Sequence, residues 1–238
     1  IEGGQEQKME EVGCPEGTTF LIRNLFFNTP ARKKFLKTTQ TEAGYIAEVV
    51  ERIALSHPEI SIRFINNNQN KLHTSGNGSL KDIIYQVYGR EITTNLFSIN
   101  TESNFGNIQG FIGKPLISRS NRSFENYYVN GRYIRSQIIA RAIEDAYQPY
   151  LMQHKYPFVV FNLSIKPELL DINVHPTKME LRFRNSQEVY EFIKDSITKN
   201  LGHKELIPEI ELKETDKKPL PIKNVLQKPS YRIPEPFE

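Results

Sequence analysis

The chain has 238 residues, 38% hydrophobic and 25% charged, with a net charge of only +3. That length allows two modest domains. No run of about 18 apolar residues exists to cross a membrane. The single cysteine, Cys14, rules out an intrachain disulfide and points to a reducing cytoplasm. The five histidines have no zinc-type spacing, so no metal site is expected. The small net charge means that any case for nucleic-acid binding must come from a local patch. The start, Ile1-Glu-Gly-Gly, has neither a leader pattern nor a methionine and reads as an internal piece of a longer protein.

Residues 1–16 read as a strand end and a polar loop, with Cys14 a turn residue. Residues 18–26, rich in Phe, Leu and Ile, predict a strand. Asn28-Thr29-Pro30 is a helix-start signal, a capping side chain followed by a proline whose missing N–H costs nothing. Phe35 and Leu36 belong to that short helix. Thr39 and Glu42 form a possible capping box for a second helix, whose Ile46, Val49, Val50, Ile53 and Ala54 share one face. His57-Pro58 ends it. Ile60, Ile62 and Phe64 alternate with polar residues and predict a half-buried strand, and the asparagines of 66–70 predict a hairpin tip.

Ser79 and Asp82 open a third helix, with Leu80, Ile83, Ile84, Val87 and Tyr88 inward and Gly89 as its stop. Strands follow at 96–100 and 107–112. Residues 124–129 and 132–134 flank Asn130-Gly131, the strongest two-residue hairpin signal. Ser136 caps a helix with Ile138, Ile139, Ala142, Ile143 and Ala146 on one stripe. Residues 158–165 read as a buried strand, 172–174 and 179–183 as short strands, and 186–201 as the last helix. Residues 203–238 alternate Lys, Glu and Pro without a period, as an extended linker does.

This order predicts an α+β fold. Residues 76–202 suit a mixed sheet with helices packed on one face. Residues 1–75 read as part of a larger layer whose remaining strands lie upstream, and 203–238 as the linker.

Lys178 follows a bend stiffened by Pro176 and flanked by Ile172, Val174, Leu181 and Phe183. Two readings are open, a solvated strand-edge charge or a rigidly held cation suited to a terminal phosphate. His175 reads as structural. Gly17-Thr18 is a strand start, or a point of close backbone approach to a ligand. Lys33 and Lys34 read as helix surface. Arg119, Arg122, Arg132, Arg135 and Arg141 interleave with Phe124, Tyr127, Tyr128 and Tyr133, as an ordinary surface or as a patch that tracks DNA phosphates. There is no phosphate-binding Gly-x-x-x-x-Gly-Lys loop, dinucleotide fingerprint or serine elbow, and no carboxylate stands out as a general base.

Three phrases carry a resemblance over residues 1–202. They are Gly17-Thr-Thr-Phe-Leu-Ile-Arg-Asn-Leu-Phe-Phe-Asn-Thr-Pro-Ala-Arg-Lys-Lys-Phe-Leu36, Tyr128-Val-Asn-Gly-Arg132, and Asp171-Ile-Asn-Val-His-Pro-Thr-Lys178-Met-Glu-Leu-Arg-Phe183. In this order they resemble the MutL family of DNA mismatch repair ATPases. The resemblance implies the C-terminal part of a GHKL ATPase α/β sandwich, then a transducer domain folded like part of a ribosomal protein. It implies that Gly17 and Thr18 lie near the nucleotide and that Lys178 reaches the terminal phosphate of ATP, making it the catalytic residue.

It further implies ATP and Mg2+ as cofactors of the full protein, homodimerisation of ATP-bound N-terminal regions around DNA, and a mismatch recognition factor as partner. The location implied is the cytoplasm, at the nucleoid in a bacterium. The family's catalytic Glu, magnesium-binding Asn, adenine motif and glycine-rich lid are not in these 238 residues. The chain alone is therefore expected neither to bind ATP tightly nor to hydrolyse it. Two alternatives stand beside this reading, a nucleic-acid-binding module with no nucleotide role, and a type II topoisomerase ATPase/transducer fragment. The Asn-Thr-Pro-Ala-Arg-Lys-Lys-Phe-Leu run speaks against the second.

Overall fold

In the computed structural model, which describes residues 1–11, 13–171 and 181–202, two faces of one mixed sheet organise the chain. The elements are α1 (Pro30–Lys33), α2 (Thr39–Ser56), β1 (Arg63–Asn66), β2 (Gln69–His73), α3 (Leu80–Thr93), β3 (Leu96–Ser103) and β4 (Gly106–Gly113). Then come β5 (Glu125–Val129), β6 (Arg132–Tyr133), α4 (Gln137–Tyr147), β7 (Val159–Ile165), β8 (Leu170–Asp171), β9 (Arg182–Phe183) and α5 (Ser186–Gly202).

The five-stranded sheet runs β3-β4-β7-β5-β6. Only the β5–β7 pair is parallel, with Tyr128 beside Asn162. That pairing requires a crossover, and α4 lies on the connection. Side chains alternate across the strands. Val159, Phe161, Leu163 and Ile165 of β7 join one core with Ile139, Ile143, Ile193 and Ile197 of α4 and α5. Phe158 and Val160 join a second with Ala54, Leu55, Leu72, Ile83, Ile84 and Tyr128. Phe158 and Phe161 have no exposed surface, and each burial stabilises by roughly 2–3 kcal/mol.

Helices on one face were expected, and α4 and α5 form that layer. The opposite face is covered as well, by α3 and the end of α2. The reason lies in β5 and β7, which carry apolar residues on both sides, so that leaving either face in water would be costly. Tyr88, Phe124 and Phe158 interlock edge to face on this second side, with centroids 5.1 to 5.5 Å apart.

Local signals fare unevenly. Ser79 accepts from the Asp82 N–H at 3.3 Å, as a cap should. Asn130 (φ 50°) and Gly131 (φ 77°) make the expected tight turn. The second helix is capped one residue earlier than expected, by Thr38, whose Oγ1 accepts from Thr41 N–H, while Glu42 accepts from Lys37 N–H at 2.7 Å. α1 begins with Pro30 as expected but has no side-chain cap. Gly89 kinks α3 at φ 83° without ending it, and the helix resumes to Thr93.

Residues 18–26 are not a strand. No described strand runs beside them, so the run has no ladder to join. Phe20, Leu21 and Ile22 are left 84%, 74% and 74% exposed. Residues 1–11 hold only an isolated bridge between Glu2 and Gln5. β8 and β9 pair through Leu170 with Phe183 and Asp171 with Arg182. The predicted strand at 172–174, Lys178 with its neighbours His175 and Pro176, and the linker 203–238 lie outside the described residues.

Candidate nucleic-acid interface

The arginines predicted to face DNA fall into two settings. Arg119 exchanges backbone hydrogen bonds with Tyr156 at 2.9 and 2.8 Å, and its guanidinium lies 4.9 Å from the Phe124 ring centre. Asn121 caps the short turn Arg122–Phe124 by accepting from the Ser123 N–H at 3.1 Å. From that turn Arg122 donates to both oxygens of Glu144 on α4, at 2.6 and 3.1 Å, and lies 5.0 Å from the Tyr156 ring. A bidentate pair of this kind fixes both position and plane. The pairing with Glu144 holds the Arg122 guanidinium above its usual pKa. Arg141 pairs with Asp145 at 3.5 Å, one turn along α4.

Arg132 and Arg135 are different. Arg132 lies opposite Val129 in the β5–β6 hairpin, and both arginines are exposed. Neither has an acidic partner among the described residues. Like Arg119, whose guanidinium lies against the Phe124 ring without an acidic partner among the described residues, they are cations with donors to spare. The hairpin beneath them is stiff. Asn162 on β7 accepts from the Gly131 N–H at 2.9 Å, and Tyr127 on β5 donates to the Ser136 carbonyl at 3.1 Å. Burial pushes the Tyr127 hydroxyl up to about 12.

A groove of about 550 Å³ runs between α2 and this hairpin, with Arg52, His57, Arg132 and Tyr133 in its walls. Arg52 was not singled out in the sequence. It pairs with Glu48 one turn before it and stacks over the Tyr133 ring at 4.3 Å. Its separation from Tyr133 in sequence gave no local signal. Glu125 was missed for a similar reason. It is only 6% exposed, and its Oε1 has no hydrogen-bond partner. Burial first, then the Glu144 carboxylate, push it up to about 8, with Arg122 pulling the other way.

Gly17 and Thr18 are exposed, and Gly17 has open space where a side chain would stand. Among the described residues no group of three or more His, Cys, Asp or Glu can hold a metal ion. No described helix is long and apolar enough to cross a membrane.

Residues 84–202 match the family described as DNA mismatch repair protein, C-terminal domain. Over all 238 residues the chain is 55% identical to the DNA mismatch repair protein MutL of Agathobacter rectalis, and it spans 36% of that protein. A solved N-terminal domain of a DNA repair protein is similar in fold, with a TM-score of 0.60 at 22% identity, over 74% of this chain and 59% of that one. So is an Aquifex aeolicus MutL ATPase domain, with a TM-score of 0.53 at 20% identity, over 74% and 59%.

Proposed function

We propose that this chain, which belongs to the MutL family of DNA mismatch repair proteins, is the segment that couples an ATPase domain to DNA. On this reading residues 1–75 complete a GHKL ATPase layer, 76–202 form the transducer domain and 203–238 begin a linker. The identity along the whole chain to a MutL protein carries the reading. The uncovered apolar side chains of Phe20, Leu21 and Ile22, with Tyr45, Ile46, Val49 and Ile53 on the outer face of α2, support it. Such a surface suits packing against a further layer.

In the longer protein ATP and Mg2+ bind upstream of these residues, with Gly17 and Thr18 beside the nucleotide. Lys178 senses the terminal phosphate, a task for a compact, fixed cation. ATP binding drives N-terminal homodimerisation and DNA engagement, and Arg132 and Arg135 contact phosphates. Arg119 joins them in that role, Arg122 does so only where its pair with Glu144 opens, and a mismatch recognition factor is the further partner. The site of action is the cytoplasm, at the bacterial nucleoid.

ATP turnover by the full-length protein tests this. Lys178→Ala should lower turnover by at least about ten-fold, the loss of one charge-assisted contact in the transition state, with unchanged circular dichroism. Normal turnover would remove the phosphate role. This chain alone should release no phosphate. Release that scales with its concentration and survives repurification would refute that expectation.

A further inference from the structure

A cleft of about 520 Å³ opens on the second face of the sheet, beyond the end of the layer made by α2 and α3. Its floor is a row of amides. Asn100 on β3 faces Gln109 on β4, Gln109 faces Asn162 on β7, and Asn162 lies beside Tyr128 on β5. Neighbouring strands are about 4.8 Å apart, so three carboxamides occupy a span of about 10 Å. Beside this row the same face carries the apolar side chains of Phe111, Val160 and Phe158.

Asn162 is partly committed, holding the Gly131 N–H at 2.9 Å and donating to Ser164 Oγ at 3.1 Å. The side chains of Asn100 and Gln109 are exposed and have no partner among the described residues. A carboxamide offers two donors and an acceptor with two lone pairs, the combination that reads the edge of a nucleobase. Leu55, Leu80 and Phe111 form an apolar wall against which a planar ring can lie. Lys81 is the charged residue lining the cleft, and no carboxylate joins it there. The ligand that matches is therefore planar, rich in hydrogen-bonding edges and anionic, and the cleft falls in the usual size range for such sites.

We propose that the cleft binds one nucleotide unit, its base edge on the carboxamides of Asn100, Gln109 and Asn162 and its phosphate towards Lys81. The unit is either a free nucleotide or a residue of a single DNA strand. For the strand the proposal rests on the DNA-binding reading above.

The test is photocrosslinking of a single-stranded oligodeoxynucleotide carrying 5-bromodeoxyuridine to the full-length protein, with the adduct mapped by mass spectrometry. The expected adduct is on the peptide holding Phe111 or the one holding Tyr128. The double variant Asn100→Leu, Gln109→Leu and the single variant Lys81→Glu should each cut its yield at least about five-fold, at surface positions where folding is unaffected. Competition by a free deoxynucleoside monophosphate assigns the site to free nucleotide. Labelling that withstands this competitor but yields to unlabelled single strand assigns it to the strand. Adducts confined to residues 133–141, or yields unchanged in both variants, overturn the proposal. Arg132→Glu with Arg135→Glu separates the two readings: losing duplex affinity but keeping the cleft adduct supports both. Unchanged duplex affinity with the cleft adduct intact sinks only the arginine contacts.

Discussion

Asn130 ties the tip of the β5–β6 hairpin to the end of β7 through both ends of one carboxamide. Its oxygen accepts from the Ile165 N–H at 2.9 Å, and its nitrogen donates to the Ile165 carbonyl at 3.0 Å. The Asn130 N–H also donates to the Leu163 carbonyl at 3.0 Å. Asparagine suits this position twice over, because its φ of 50° is a conformation that alanine resists. Asn130→Ala should therefore destabilise by about 2–3 kcal/mol, combining two lost hydrogen bonds with the strained backbone. The urea midpoint measures it. Asn130→Gly, which relieves the backbone but not the lost bonds, should lie between the two. Equal midpoints for all three would show that the tie contributes nothing.

Glu125 gives the fold a pH dependence of definite sign. Its carboxyl is pushed up to about 8 in the folded chain, from an ordinary 4.5. Below pH 4.5 it is neutral in both states and its contribution to stability is at its greatest. As pH rises towards 8 the unfolded chain loses this proton while the folded chain keeps it, so stability falls. Above pH 8 both states are ionised and the loss is complete. The full change is on the order of a few kcal/mol. Glu125→Gln removes the proton, so its unfolding free energy should fall less between pH 5 and pH 8 than that of the unaltered chain. Parallel pH profiles for the two proteins would contradict the assignment.

These two residues also mark what the sequence discloses. The turn at Asn130-Gly131 and the caps at Ser79 and Ser136 are local: the side chain and the group it serves lie within three residues, so the pattern is readable. Glu125 is not readable, because its burial comes from β5 being flanked by β7 and β6 and its electrostatics from Glu144 on a different element. The tie of Arg122 is hidden for the same reason, its acceptor being 22 residues away. The run 18–26 has strand composition, yet a strand is a relation between two segments, and no described segment supplies the second. The amphipathic stripe of α3 announced a helix but could not say which face of the sheet it would cover.

Gly110 sets how closely β4 and β7 approach. A Cβ there would stand 2.2 Å from the Val160 carbonyl oxygen and 2.5 Å from Phe161 Cα, both backbone atoms that cannot swing aside. Its φ of 154° adds a conformation that side chains rarely adopt. Gly110→Ala should cost roughly 3 kcal/mol, the upper end of ordinary overpacking. The thermal midpoint should drop by several degrees. An unchanged midpoint would mean that the strands separate without cost.

The two kinds of arginine should separate in DNA binding if the proposed interface is right. Arg122 has its guanidinium committed to Glu144, and binding phosphate would first require breaking that bidentate pair. Arg122→Ala should then change affinity less than about two-fold. Arg132 and Arg135 have no such tie, and replacing either with Ala should weaken binding and flatten the salt dependence by about one phosphate contact. Glu144→Ala provides the converse, freeing Arg122 and steepening the salt dependence. Fluorescence anisotropy of a labelled duplex across a salt series, with the full-length protein, reads all four variants. If Arg122→Ala flattened the slope as much as Arg132→Ala, the pair with Glu144 would open on DNA. The division between a structural and a contacting arginine would then be lost.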